Sequence, residues 1–219
     1  MFTVAIISQK GGAGKTTLAL HLAAAATAAK RVALVIDADP QATASTWAGW
    51  RQEEPPEVID CASPPLLAKK LQQAAGLGVD LAVIDTPPHA ELMAREACKA
   101  ADLLLIPCRP LAFDLAAIQT TAELAKASGK PAFVVFTAGA PRAPAQYAEA
   151  AEVVAQIGLT VAPVMLPQRA AFAHAVAEGK TAPEIDPTGK AADEVAALWS
   201  WVQQTAGIKP RRSKKDAAE

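Results

Sequence analysis

The sequence predicts an α/β chain with a mostly parallel, twisted sheet and helices on both faces. Three observations predict it. Continuous apolar runs recur at Val4–Ile7, Val32–Ile36, Leu81–Ile84, Leu103–Ile106, Ala132–Phe136 and Val161–Met165, the pattern of strands buried on both sides. Segments of helical character separate them, as in successive βαβ crossovers. A glycine-rich loop, Ser8-Gln9-Lys10-Gly11-Gly12-Ala13-Gly14-Lys15-Thr16-Thr17, joins the first strand to the first helix. Sheets of this kind bind ligands at the carboxyl ends of their strands.

The loop has the chemistry of a phosphate cradle. Its glycines let the backbone turn tightly and bring N–H groups close to an anion. The helix that follows points its positive dipole end at the same place. Lys15 supplies a mobile positive charge for β- and γ-phosphates, and the Thr16 hydroxyl is placed to ligate Mg²⁺. Strand, loop and helix in this order make the fold class a P-loop NTPase. The loop departs from the plain G-x-x-x-x-G-K-[ST] pattern: Gln9 stands where the first glycine belongs, and Lys10 adds a second lysine at the entrance.

The remaining elements follow in order. Thr16–Ala29 reads as a helix with Leu18, Leu22 and Ala26 on its apolar face. Asp37-Ala38-Asp39-Pro40-Gln41 breaks the second strand, and Ala42–Trp50 forms a short helix. Glu53–Pro56 is a polar, proline-bearing loop, and Val58-Ile59 a brief strand. Pro65–Ala75 is helical and ends at Gly76; Glu91–Ala100 is helical after Asp85-Thr86-Pro87-Pro88. Pro107 stops the strand Leu103–Ile106. Helices Asp114–Ser128 and Ala145–Ile157 close at Gly129 and Gly158. Arg169–Glu178 and Lys190–Ala206 complete the helices. Residues 1–207 read as one P-loop ATPase domain and 208–219 as a basic tail expected to be disordered.

Composition narrows the function. A chain of 219 residues with 52% hydrophobic content can bury a large core. The net charge of −1 confines any nucleic-acid contact to a local patch. Cys61, Cys98 and Cys108 form no C-x-x-C pair, which argues against zinc or a disulfide framework and fits a reducing cytosol. The chain runs straight into its first strand with no signal peptide. Its longest alanine-rich segment falls short of the roughly 20 residues that span a membrane.

Acidic residues gather at the strand ends. Asp85 follows Leu81-Ala82-Val83-Ile84, the Walker B arrangement in which a carboxylate holds a Mg²⁺-bound water. Asp37 and Asp39, two apart on an extended segment, can face one side and call for a nearby cation. One would orient the magnesium shell and the other position the attacking water. The plainer alternative is a helix-capping aspartate and a turn aspartate before Pro40.

Three motifs together, Lys10-Gly11-Gly12-Ala13-Gly14-Lys15-Thr16-Thr17, Val35-Ile36-Asp37-Ala38-Asp39-Pro40-Gln41 and Val83-Ile84-Asp85-Thr86-Pro87-Pro88, resemble the ParA/MinD deviant Walker A ATPases. Asp-Pro-Gln and Asp-Thr-Pro-Pro point to the ParA branch, and the short N-terminus to its small plasmid type without a leading DNA-binding domain. The resemblance runs from residue 2 to about residue 190. It implies an ATPase using ATP and Mg²⁺, with Lys10 reaching the phosphates of a partner subunit in an ATP-dependent homodimer. It implies nucleotide contacts from Lys10, Gly11, Gly12, Ala13, Gly14, Lys15, Thr16 and Thr17. Asp39 would activate water, with Lys10 and Lys15 as its catalytic companions. Thr16, Asp37 and Asp85 would form the magnesium shell. Pro167, in Pro167-Gln168-Arg169-Ala170-Ala171-Phe172, is the candidate base contact. Relatives often carry asparagine or arginine where Thr137-Ala138-Gly139 stands here, so adenine recognition is expected to use backbone groups.

The ParA resemblance also implies nonspecific DNA binding, a cytoplasmic, nucleoid-associated location, and a ParB-like centromere-binding adaptor that stimulates hydrolysis. The candidate DNA surface is Arg169, Lys180, Lys209, Arg211, Arg212, Lys214 and Lys215, with Arg142 nearby; residues 209–215 hold five positive charges in seven. A membrane partner is not expected, because the tail has no apolar face. The main reading is plasmid or chromosome partition. The alternatives are a ParA-like positioner of a protein cargo, such as carboxysomes or chemotaxis clusters, and a metabolic ATP-dependent ligase of the same fold. Salt-sensitive DNA retention that needs ATP and Lys10 separates a positioner from a ligase.

Overall fold

The computed structural model describes residues 1–52 and 54–209. Its strands are β1 (Phe2–Ile6), β2 (Ala33–Asp37), β3 (Glu57–Asp60), β4 (Leu81–Asp85), β5 (Leu103–Cys108), β6 (Ala132–Thr137) and β7 (Thr160–Leu166). Its helices are α1 (Lys15–Ala28), α2 (Thr43–Trp50), α3 (Pro64–Gly76), α4 (Glu91–Ala100), α5 (Ala112–Ser128), α6 (Pro144–Gln156), α7 (Ala170–Ala177), α8 (Ala182–Ile185) and α9 (Lys190–Thr205). The strands form one sheet in the order β3-β2-β4-β1-β5-β6-β7, and every pairing is parallel. The chain fills one side of β1 first, then crosses to the other. β1 therefore stands where the winding reverses, and the crevice beyond its carboxyl end is the ligand position this topology provides.

Alternation along the strands sorts the core into two layers. Ala5, Ile7, Ile36, Ile84, Leu104 and Ile106 pack with Leu67, Met93, Ile118 and Val154 from α3 to α6. Val4, Ile6, Val35, Val83, Leu103 and Leu105 pack with Leu18, Trp47, Phe172 and Trp199 from the helices of the opposite layer. Asp37 and Asp85 are direct register partners across β2 and β4. They follow the parity of Val35 and Val83, so both point to the α1 side.

Several sequence expectations are corrected. Helix α1 has no single apolar face: Leu18, Ala19, Leu20, Leu22, Ala23, Ala24 and Ala26 are all buried, because α1 lies between the sheet and α9. Pro107 does not end β5, which runs on to Cys108. The Leu104 N–H bonds toward β6 while the Leu105 carbonyl accepts from Ile7. By alternation the missing N–H of Pro107 falls on the β1 side, just past the end of the β1–β5 pairing at Ile6 and Leu105, so the proline lies where the ladder stops. Pro163 sits in β7, an edge strand that tolerates it. Helix α8 was not foreseen. Thr181 and Glu184 build a capping box around this single turn, and Glu184 forms a bidentate pair with the nearly buried Arg51 of the α2 terminus. Trp47 is fully buried and donates to the Lys180 carbonyl at 3.2 Å, whereas Trp50 is 53% exposed.

His21 ties α1 to α8. Its Nδ1 donates to the Thr17 carbonyl at 2.8 Å, and its Nε2 accepts the Ala182 N–H at 3.1 Å. This arrangement suits only the neutral ring, since a proton on Nε2 would face another donor. Burial lowers the pKa from 6.5 to about 4. The unfolded chain therefore binds the proton first, and stability is full above pH 6.5 and lost as pH falls toward 4. The loss approaches roughly 3 kcal/mol over that window. Urea unfolding at pH 7 and pH 5 is expected to show this slope in the wild type and a flatter one in His21→Gln. Equal slopes would remove His21 as the cause.

Candidate nucleotide site

The loop leaves β1 at Ile7 and enters α1 at Lys15. Gly14 is the N-cap residue in the left-handed region (φ 92°), and no side chain caps the helix. The first-turn N–H groups are thus open to a ligand, and the helix dipole favours an anion there. Lys15 is 7% exposed, and its Nζ donates to the Lys10 carbonyl at 3.1 Å. Burial lowers its pKa, against the opposing pull of Asp85 and then Asp39. The Lys10 side chain is half-buried and makes no hydrogen bond or ion pair among the described residues.

The three acids stand differently. Asp37 is fully buried and committed: its Oδ2 accepts the Ser45 N–H at 2.8 Å and the Ser45 hydroxyl at 2.9 Å, and its Oδ1 accepts the Asp39 N–H at 3.2 Å. It holds the first turn of α2 from the strand end, while the N-cap residue itself is Ala42 and not an aspartate. Asp39 is half-buried, with Oδ1 accepting the Gln41 N–H at 2.9 Å in a turn before α2. Asp85 is 1% exposed, and neither carboxylate oxygen has a partner at full hydrogen-bond geometry. Burial pushes its pKa up to about 7; Asp37 and Asp39 push the same way, while the nearby Thr16 hydroxyl and Lys15 favour the charged form.

A buried, unpartnered carboxylate among two other acids and one lysine is a donor set short of positive charge. A divalent cation fits that deficit. Among the described residues no three His, Cys, Asp or Glu side chains gather into an all-protein metal cage. Mg²⁺ characteristically needs only one or two carboxylates beside substrate phosphates and water.

A cavity of about 460 Å³ opens beside the loop, lined in part by Gly14, Thr17, Thr137, Pro167 and Phe172. Pro167 therefore lines the same cavity as Gly14 and Thr17, where the loop enters α1. The Thr137 hydroxyl donates to the Ala13 carbonyl at 2.7 Å, so the residue noted for what it replaces has a contact of its own. Arg109 was not foreseen: its Nη2 donates to the Gly12 carbonyl at 2.6 Å. Thr86 and Thr121 also brace the loop, donating to the Ile6 carbonyl at 2.8 Å and accepting the Gln9 N–H at 3.2 Å. Position could have flagged Arg109, which directly follows the carboxyl end of β5.

Known proteins match this arrangement. The CobQ/CobB/MinD/ParA nucleotide binding domain matches residues 4–182. The chain belongs to the MinD/ParA family of ATPases. It is 35% identical over 178 residues to maintenance of carboxysome distribution protein A of Gloeobacter kilaueensis, covering 80% of this chain and 81% of that protein. It is 29% identical over 225 residues to the chromosome-partitioning ATPase Soj of Thermus thermophilus, covering 86% and 90%. The septum site-determining protein MinD of Pyrococcus horikoshii, solved with Mg-ADP, shares the fold with a TM-score of 0.77 at 18% identity, over 96% of this chain and 99% of that one.

For this MinD/ParA ATPase the expected DNA-facing residues divide. Arg169 adds no uncompensated charge, because Glu194 holds its Nε at 3.0 and 2.8 Å and both side chains are largely buried. Lys180 is exposed, with Glu178 3.9 Å away. Arg142 and Lys209 are exposed. Arg211, Arg212, Lys214 and Lys215 lie outside the described residues. Cys61, Cys98 and Cys108 are free and buried. Among the described residues no helix is long and apolar enough to cross a membrane.

Proposed function

We propose that this ATPase is a ParA-type positioner of a protein cargo, working through an ATP-dependent dimer on DNA. The observation that carries the switch is the second lysine: the Lys10 ammonium stands at the loop entrance with no partner among the described residues, beside a Lys15 whose Nζ is turned into the loop, onto the Lys10 carbonyl. In an isologous dimer the same side chain can reach the other subunit's nucleotide, which makes ATP part of the interface. The loop N–H groups and Lys15 bind the β- and γ-phosphates. Thr16 and Asp85 hold Mg²⁺, with Asp37 fixing the start of α2 close by. When bound, Mg²⁺ neutralises charge developing on the phosphate oxygens. Asp39 positions the attacking water. Pro167 and the backbone around Thr137 and Ala138 form the wall against which the base rests.

The cargo reading follows the relatives. Sequence motifs alone favoured plasmid partition, with a centromere-binding adaptor. The higher identity is to a protein named for carboxysome distribution, and this moves the preference to a protein assembly. Partition remains the second reading, favoured by the likeness to Soj. In both, an adaptor on the cargo stimulates hydrolysis and releases the dimer from DNA, because each nucleotide state has its own affinity for self and for DNA.

Sedimentation velocity with ATP, ADP or no nucleotide tests the switch. A dimer is expected with ATP alone, together with salt-sensitive DNA retention. Lys10→Ala is expected to bind ATP with wild-type affinity but to sediment as a monomer and to release DNA. An ATP dimer of Lys10→Ala that retains DNA would overturn the role of Lys10 in trans.

A further inference from the structure

Arg109 belongs to none of the motifs that mark the nucleotide site, yet it is bonded to the phosphate loop across 97 residues of sequence. It directly follows β5, and Pro110 comes next. Gly12, whose carbonyl it holds, has a φ of +70°, and a Cβ there would meet the Arg109 Nη2 at 3.5 Å. The Arg109 Nε is buried without a partner among the described residues, so the guanidinium is not placed there by a full set of its own hydrogen bonds.

Two other loop carbonyls are held from outside the backbone. Lys15 holds that of Lys10 at 3.1 Å, and Thr137 holds that of Ala13 at 2.7 Å. In a planar trans peptide the C=O and the following N–H point in opposite directions. Holding the carbonyls of Lys10, Gly12 and Ala13 therefore sets the directions of the Gly11, Ala13 and Gly14 N–H groups. A phosphate cradle works through N–H groups aimed at one point. Setting that aim before the ligand arrives removes an ordering cost from binding.

The geometry points to Arg109 as a positioning residue that pre-sets the phosphate loop through the Gly12 carbonyl. The inference rests on residues 8–17 being the nucleotide site. A guanidinium donor to a carbonyl is a charge-assisted bond, and its loss is expected to weaken Mg-ADP binding by roughly tenfold in Arg109→Ala. The melting temperature of the nucleotide-free protein should stay within about 2 °C, since Arg109 is only half-buried and a surface-like change has little effect on stability. Calorimetric titration with Mg-ADP reads the affinity directly.

Two conservative variants separate aim from charge. Arg109→Lys keeps a charged donor, and Arg109→Gln keeps a neutral one. Both are expected to bind Mg-ADP more tightly than Arg109→Ala. Rescue by lysine alone would make the charge the cause and overturn the positioning role. Wild-type affinity in Arg109→Ala would overturn it as well. Lys15→Ala, titrated alongside, keeps the two failures apart. If Lys15→Ala loses binding and Arg109→Ala does not, only the Arg109 inference falls; if Lys15→Ala binds normally, the nucleotide site itself is misplaced.

Discussion

Lys15→Ala is expected to bind ATP and ADP roughly thirtyfold to several thousandfold more weakly than the wild type. Lys15 begins α1, is 7% exposed, and spends one ammonium donor on the Lys10 carbonyl at 3.1 Å. That leaves two further donors for phosphate oxygens. Burial disfavours the charged amine, and Asp85 followed by Asp39 opposes that effect. The chain thus keeps a cation where water cannot screen it well, the condition under which a charge–phosphate contact is strongest. Removing one partner from such a desolvated pair costs roughly 2–5 kcal/mol, between thirtyfold and several thousandfold in affinity. The variant also strips Asp85 of a cation that favours its ionised form, so the proposed Mg²⁺ site is expected to weaken with the proposed phosphate site. Fluorescent-nucleotide titration measures both losses. Affinity within tenfold of the wild type would contradict the assignment of Lys15 to the phosphates.

The fold and the centre of the site were legible because they rest on local patterns. Continuous apolar runs ending in Asp37 and Asp85, and glycines ahead of Lys15, each state their place in the fold within a few residues. The strand rule then gathers them at one edge, and β2 and β4 do bring Asp37 and Asp85 into direct register. What was not legible depends on long-range packing. Arg109 and Thr137 meet the loop across 97 and 124 residues, and no spacing rule connects them. The commitment of Asp37 to Ser45 depends on how α2 docks against the strand end, which two carboxylates in sequence do not specify. Arg169 looked like surface charge until the fold set Glu194 against it. The all-round burial of α1 was hidden because alanine marks no face: it packs equally against the sheet and against α9. Cargo, in turn, is a property of the partner, and the choice between a protein assembly and DNA came from relatives rather than from any residue of this chain.

Asp39→Ala is expected to bind ATP with near wild-type affinity and to hydrolyse it about a hundredfold to ten-thousandfold more slowly, the usual range for a lost positioning or proton-accepting group. The choice among the three acids follows from their commitments. Asp37 gives its oxygens to Ser45 and to the Asp39 N–H. Asp85 is 1% exposed and has the Thr16 hydroxyl and Lys15 nearby, a position suited to a metal shell rather than to an incoming water. Asp39 is half-buried, and among the described residues only its Oδ1 is occupied, by the Gln41 N–H. Its other oxygen is the one available to a water arriving from solvent. Asp39→Asn separates chemistry from geometry: the asparagine carbonyl can still accept from Gln41 and hold the turn, but it cannot take a proton. Both variants should stall at the ATP-bound stage, so sedimentation with ATP is expected to show dimers that outlast those of the wild type. Turnover preserved in Asp39→Asn would reduce the residue to a turn-former. A monomer with ATP in both variants would place Asp39 in the interface instead, and the water would then have to be held by a group outside this turn.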